Sequence, residues 1–178
     1  MANPKQANVD VIVTPDSTQP AGVRFELSSD LGSSNELTFK NDNKPGFDLN
    51  FNLVDKDNTG CKFMKDPQEA MWVQVAAPGT PPPCPTSPSY WDQFEAKNVS
   101  KNDTLLTVRN LNEYVQMFAF SLRFTKPGWP DPILYDPIGN NQNGGGFAAD
   151  RFVDNPVNMM LMVVGIVAVA YVAYRFLI

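Results

Sequence analysis

Residues Phe47–Val54 read FDLNFNLV, and this stretch decides the class of fold. Apolar and polar side chains alternate along it without a break: Phe47, Leu49, Phe51 and Leu53 fall on one face, and Asp48, Asn50 and Asn52 fall on the other. Because successive side chains of a β-strand point to opposite faces, this repeat of two residues predicts a strand with one buried and one solvated side.

The same alternation recurs along residues 1–138. The next clearest strands are Val9–Val13, Gly22–Leu27 and Tyr114–Phe124, and the shorter candidates are Glu36–Lys40, Cys61–Met64, Glu69–Ala76, Leu105–Val108 and Ile133–Tyr135. No segment here keeps a repeat of 3.6 residues over three turns, and the 16 prolines of the full chain, all but one of them in this part, favour turns over helices. Short strands between turn clusters predict an all-β head, an antiparallel β-sandwich of immunoglobulin-like architecture.

The chain divides by composition into three parts. After the head at 1–138 comes a Gly- and Asn-rich linker at 139–156, and then an apolar segment at 157–178 that reads VNMMLMVVGIVAVAYVAYRFLI. At about 1.5 Å per residue, a helix of this length spans roughly 30 Å, the thickness of a bilayer hydrocarbon core. The composition therefore predicts a single transmembrane helix, with the lipid bilayer as its first partner.

Two features of the apolar segment bear on its environment. Gly165 and Ala168 give it a small face suited to packing against other transmembrane helices, although a plain single-span anchor is an equal alternative. The segment also carries side chains suited to the membrane interface: Tyr171, Tyr174 and Arg175.

The N-terminal residues lack a basic region followed by a long apolar stretch, so no signal peptide is expected. We therefore expect a tail anchor that is inserted after translation. The expected location is the inner (cytoplasmic) membrane, with the head in the cytoplasm.

Composition excludes several classes of function. The chain contains no histidine, which removes Ser-His-Asp and Cys-His catalysis and His-ligated zinc. Its formal net charge is −5, and Arg175 is the only charged residue of the apolar segment, so the head is acidic and unsuited to nucleic acid. We expect a protein that is not an enzyme, has no cofactor and no metal centre, and is not built for a small-molecule ligand.

One loop resembles the start of a calcium-binding loop. Asp55 and Asp57 occupy its first and third positions, and Asp66 stands where a bidentate glutamate is usual. The sequence predicts either a weak cation site at these three aspartates or, as the stronger alternative, an ordinary turn between strands.

The two cysteines, Cys61 and Cys84, leave two alternatives. They could form one disulfide, or both could be free thiols. A cytoplasmic head favours the thiols.

Two segments of the head are candidates for a partner surface. Pro78–Pro88 reads as an extended polyproline-like loop, with Pro82 and Pro83 at its centre. Trp129 lies in a proline-rich loop and is the tryptophan most expected to be exposed. Trp72, in contrast, is predicted to be a core residue of its strand.

The head resembles the DP-EP family of small bacterial proteins of unknown function. The residues that carry the resemblance are the strand Val9–Val13, Ala70–Val73, Cys84-Pro85, Asn110–Asn112, Phe118–Phe124 and above all Tyr135–Asn140, which reads YDPIGN. It covers most of residues 8–145 and implies a compact β-sandwich, with no activity to carry over. The apolar segment at 157–178 departs from the family pattern.

These observations favour a non-catalytic, tail-anchored structural or accessory subunit of a larger bacterial membrane protein complex, with other membrane-protein subunits as its partners. Two alternatives remain open. One is a membrane-tethered sensor that binds a ligand or a cation through Asp55, Asp57 and Asp66. The other is a structural protein of a membrane-containing virus.

Overall fold

The computed structural model describes residues 3–40, 46–77 and 80–142, and this part of the chain is almost entirely β-structure. One sheet contains β1 (Lys5–Pro15), β2 (Val23–Ser29), β3 (Gly32–Ser34), β5 (Phe47–Val54), β8 (Phe94–Ser100) and β9 (Leu105–Asn110). The other contains β4 (Glu36–Lys40), β6 (Lys62–Phe63), β7 (Met71–Val75), β10 (Gln116–Lys126), β11 (Trp129–Tyr135) and β12 (Ile138–Gln142). The all-β prediction is confirmed.

The first sheet has the strand order β3-β2-β1-β5-β9-β8. Neighbouring strands are antiparallel except at its centre, where β1 runs parallel to β5. The predicted fully antiparallel arrangement is therefore wrong at this pair. Alternation shows which side chains are buried, but it carries no information on the direction of the neighbouring strand.

The second sheet is organised around the long strand β10. Phe118 pairs with β7 on one edge and with β12 on the other, and Phe124 pairs with β6 and β11 in the same way. β11 and β12 therefore share one edge of β10, separated by Asp136 and Pro137, and the Pro137 carbonyl accepts a hydrogen bond from the Phe120 amide. β12 runs parallel to β4, the second departure from the antiparallel prediction.

Aromatic side chains from the two sheets meet in the core. Phe25 stacks on Phe124 with ring centroids 4.3 Å apart. Phe94 and Phe118 also contact each other across the sheets, with ring centroids 4.7 Å apart, and another aromatic pair joins β5 to β10. The large fully buried side chains are Phe and Leu on the inner faces of both sheets, so burial of apolar surface stabilises a sandwich.

Buried amides join the ends of three strands. Asn110 and Asn141 exchange two side-chain hydrogen bonds, at 2.8 and 3.2 Å, and tie β9 to β12. Asn112 donates its side-chain amide to the Lys40 carbonyl at the end of β4. Because buried polar groups need partners, this network holds the ends of β4, β9 and β12 in fixed positions relative to one another.

Several local expectations are corrected. The region predicted as the strand Glu69–Ala76 begins with a one-turn helix, α1 (Pro67–Ala70), before β7. Trp72 is buried as expected, but it lies outside the core cluster, on the outer face of the second sheet. The last strand, β12, extends into the segment predicted as linker, so the β-structure of the head continues to Gln142.

The chain separates into two compact units, Met1–Gly144 and Gly145–Ile178. The second unit, which contains the predicted transmembrane helix, lies outside the described residues. Within the ranges that the structure describes, no helix is long and apolar enough to span a membrane.

Candidate partner-binding surface

The outer face of the first sheet is a polar network. Asp48 accepts hydrogen bonds from Gln6 at 3.0 Å and from Arg109 at 3.1 Å, and Lys97 lies 3.8 Å from the same carboxylate. Four neighbouring strands therefore contribute to one set of charged and amide groups. Such a face is satisfied internally and well hydrated, which makes it a poor candidate for an apolar contact.

Among the described residues, three of the six exposed large apolar side chains lie on β11 and at the start of β12; the others are Val75, Tyr90 and Tyr114. Trp129, Leu134 and Ile138 are 37%, 42% and 36% exposed. Leu134 pairs with Arg123 and Ile138 pairs with Ala119, so both lie on the outer face of the second sheet. Trp129 pairs with Lys126 and lies on the side of the groove described next, next to this outer face. We call Trp129, Leu134 and Ile138 the β11 surface. The expectation that Trp129 is exposed is confirmed.

A groove runs beside the β11 surface, between β11 and β2. Its volume is about 470 Å³, and its lining is mainly apolar: Pro20, Ala21, Val23, Phe25, Trp129 and Ile133. Tyr135 closes the far end, where its hydroxyl donates to Asn35 and its ring stacks on Phe25. Burial raises the pKa of Tyr135 well above its ordinary value, so this hydroxyl stays protonated.

The Pro-rich loop packs against the protein through two prolines that are three residues apart. Pro82 and Pro85 are buried, whereas Pro81, Pro83 and Cys84 are exposed. A polyproline II helix has three residues per turn, so this pattern is that of one face held against the sandwich. Pro83 remains a surface residue as predicted, but placing Pro82 in a partner surface was wrong because its ring is used for packing.

The outer face of the second sheet also holds a buried cationic cluster that the sequence did not reveal. The Arg123 guanidinium lies 3.7 Å from the Trp72 ring centre, and it donates to the Glu69 carbonyl at 3.0 Å and to the Glu69 carboxylate. Ser121 is fully buried beside Trp72. The only hint in the sequence was that Arg123 occupies a polar position of an otherwise apolar strand.

The predicted cation site is not assembled. Both carboxylate oxygens of Asp55 accept backbone amides of its own turn, from Thr59 at 2.8 Å and Gly60 at 2.9 Å. Asp66 accepts the Gln68 amide at 2.9 Å and caps α1, and Asp57 is exposed. Among the described residues, no three His, Cys, Asp or Glu side chains are grouped to hold a metal ion.

Both cysteines are free thiols, so the disulfide alternative is wrong. Cys61 is buried in the core, and that burial is the main cause of its raised pKa. Cys84 is exposed, and partial burial followed by the nearby Asp136 carboxylate raises its pKa.

The residues predicted to pack or anchor a transmembrane helix lie outside the described ranges: Gly165, Ala168, Tyr171, Tyr174 and Arg175. Their roles stay predictions from the sequence. Comparison of the chain with protein-family models and with curated proteins gives no match.

Proposed function

We propose that this chain is a non-catalytic, membrane-attached β-sandwich that serves as an accessory subunit of a larger membrane protein complex. The observation that carries the proposal is the β11 surface, where Trp129, Leu134 and Ile138 expose apolar area on one strand and its neighbour. Aromatic and aliphatic side chains grouped on a sheet face are the usual anchors of a protein–protein contact.

Contrast between the two outer faces supports this assignment. The first sheet presents the Asp48 network to solvent, with its charges paired across strands. The second sheet presents the β11 surface, whose three side chains are exposed. A protein with one polar and one apolar outer face is suited to lie with the apolar face against a partner.

The apolar segment at 157–178 supports the membrane location. Its length and composition suit a bilayer core, and Gly165 and Ala168 offer a helix-packing face. In this arrangement the helix packs on neighbouring subunits while the head contacts them through the β11 surface. The sensor alternative has less support, because the carboxylates of Asp55 and Asp66 already accept hydrogen bonds from backbone amides of their own turns.

Extraction of native membranes in mild detergent tests the proposal, followed by separation by size and mass spectrometry of the proteins that travel with the chain. We expect co-migration with one defined large complex. We also expect a chain lacking residues 157–178 to leave the membrane fraction. Migration of the intact chain alone would contradict the accessory role.

Two variants separate the surface from the anchor. L134D combined with I138D should release the complex while the chain stays in the membrane. V75D introduces one carboxylate, against two in the double variant, at a residue that is 38% exposed on the opposite edge of β10, and it should leave the complex intact. Equal loss in both variants would mean that general destabilisation, not the β11 surface, is responsible.

A further inference from the structure

The groove between β2 and β11 has an open strand edge as one of its walls. β3 pairs only with residues 27–29 of β2, so residues 23–26 have no strand partner on that edge within the described part of the chain. β11 forms the other wall, and two of its residues, Pro130 and Pro132, have no N–H to donate. Of the two walls, β2 is therefore the one suited to accept an added strand.

The register of β2 shows which of its backbone groups face the groove. The Gly22 carbonyl accepts a backbone amide of the turn after β1 at 2.9 Å, and the antiparallel pairing of β1 with β2 continues from this bond. Backbone groups of successive residues point to alternate edges of a strand, so those of Arg24 and Glu26 also point to β1. The N–H and C=O groups of Val23 and Phe25 therefore point to the open edge.

Contacts between the two sheets close the groove at both ends. At one end, the Lys126 ammonium donates to the Ala21 carbonyl at 2.7 Å. At the other end, the Tyr135 ring stacks on Phe25 and its hydroxyl donates to Asn35. β3 occupies the edge of β2 beyond this point. An added segment therefore has room beside residues 23–26 only.

The floor of the groove requires apolar side chains from its occupant. Ala21 and Ile133 line it, and both are partly buried and pack against the hydrophobic core. In a strand added to β2, the residues opposite Val23 and Phe25 point to the same side as these two side chains and enter the groove. Apolar residues at these two positions would extend the core.

The rim of the groove sets the charges of the intervening positions. Arg24 and Glu26 are exposed on the outer face of β2. The added residue opposite Arg24 shares that face, and so does the residue opposite Glu26. An acidic side chain therefore complements the first position, and a basic side chain complements the second.

We propose that the groove binds an extended segment of the partner subunit, which adds a short strand to residues 23–26 of β2. The segment carries two apolar residues that alternate with an acidic and a basic residue. This inference rests on the proposed function, because Trp129 and Leu134 belong to the β11 surface and also line the groove. A subunit seated on the β11 surface therefore lies next to the groove. The backbone bonds give the segment its register, and the apolar residues supply buried area.

Hydrogen exchange resolved to single amides tests the added strand. The assembled complex is compared with the free full-length chain in the same detergent. We expect the amides of Val23 and Phe25 to exchange about tenfold more slowly or less in the complex, and those of Arg24 and Glu26, which already face β1, to stay unchanged. Slowing of neither pair, or equal slowing of all four amides, overturns the added strand.

Photo-crosslinking in native membranes tests the occupant. A reactive residue at position 21 lies in the groove, and one at position 134 lies on the β11 surface. We expect both to form adducts with the same partner polypeptide. Adducts from position 134 alone overturn the groove proposal and leave the proposed function standing, whereas no adduct from either position overturns both. An adduct of position 21 with lipid, with a second copy or with residues 143–178 also overturns the groove proposal.

Filling the groove gives an independent test. A21F places a ring on the floor of the groove, and we expect about tenfold less complex to be recovered, a loss of the size that a truncated interface anchor produces. A76F adds the same ring at another half-buried alanine, directly after β7, and serves as the matched control. Equal recovery with the two variants overturns the proposal.

Discussion

Two positions in this fold require glycine, and they do so for different physical reasons. A Cβ atom added to Gly139 would lie 2.1 Å from the Cζ atom of the Phe118 ring. Gly128 presents the opposite case, because its φ of +78° needs a glycine although nothing lies within 4 Å of an added Cβ. One glycine is therefore required by space, and the other by backbone conformation.

Alanine substitutions at the two glycines separate steric crowding from backbone strain. We expect G139A to lower the free energy of unfolding by about 1–3 kcal/mol through overpacking, and G128A by roughly 1–2 kcal/mol through left-handed strain. Combining F118L with each substitution should reduce the cost of G139A and leave that of G128A unchanged. Denaturant unfolding of the four variants and the F118L single variant measures both couplings. Equal couplings would contradict the steric account.

Hydrogen bonds in the turn after β1 should make the stability of the fold depend on pH. The Thr18 hydroxyl donates to the Asp16 carboxylate at 2.6 Å and its amide donates at 2.9 Å, and these bonds hold the pKa of Asp16 below its ordinary value of 3.8. A carboxylate with a lowered folded pKa stabilises the fold above its unfolded pKa, and the effect is lost as the pH falls through the folded pKa. T18A should therefore be less stable than wild type near neutral pH, and the difference should shrink below pH 3.8. A difference constant with pH would contradict this.

The two thiols should differ in reactivity. Cys84 is exposed and Cys61 is buried, although both have a raised pKa. We expect a thiol reagent to modify one cysteine in the native protein and the second only after unfolding, with C84S abolishing the native reaction. Modification of Cys61 at the same rate as Cys84 would contradict the packing described for the core.

At the scale of elements, the alternation of apolar and polar residues predicted where strands lie far better than it predicted which strands pair and in which direction. The predicted bounds of Glu36–Lys40 and Phe47–Val54 match β4 and β5, because both strands have one buried face. The parallel pairs β1–β5 and β4–β12 were beyond prediction, since direction depends on the path of the intervening chain. The short β3 was missed because three residues carry no measurable period.

The candidate site was predicted only in part for a similar reason. Exposure of Trp129 follows from its neighbouring prolines, which are readable in the sequence. Leu134 and Ile138 look like core residues in a linear pattern, and only the pairing with β10 places them on the outer face. The stacking of Arg123 on Trp72 joins residues from two strands that the sequence separates widely.

The cluster around Arg123 links α1, β7 and β10, and it should stabilise all three. R123M removes the stacked cation and the donors to Glu69, and we expect it to lower the free energy of unfolding by about 1–3 kcal/mol. R123K keeps the charge but cannot lie flat on the indole while bonding Glu69, so it should recover only part of the loss. Full recovery by R123K in denaturant unfolding would show that charge alone matters.

The whole molecule combines two unlike outer faces with an apolar segment suited to a bilayer. One face holds its charges in the Asp48 network, and the other carries the β11 surface. This asymmetry, rather than any single residue, is the physical basis of the proposed accessory role. It requires that partners contact the second sheet and leave the first sheet in solvent.

The most direct test of this account is photo-crosslinking in native membranes from a single reactive residue placed at position 134 or at position 10. Leu134 lies on the β11 surface, and Asp10 is exposed on the outer face of the first sheet. We predict that position 134 gives a discrete adduct with another membrane-complex subunit and that position 10 gives none. Adducts from position 10 alone, or from neither position in a chain that remains folded, would contradict the proposal that the β11 surface binds a partner.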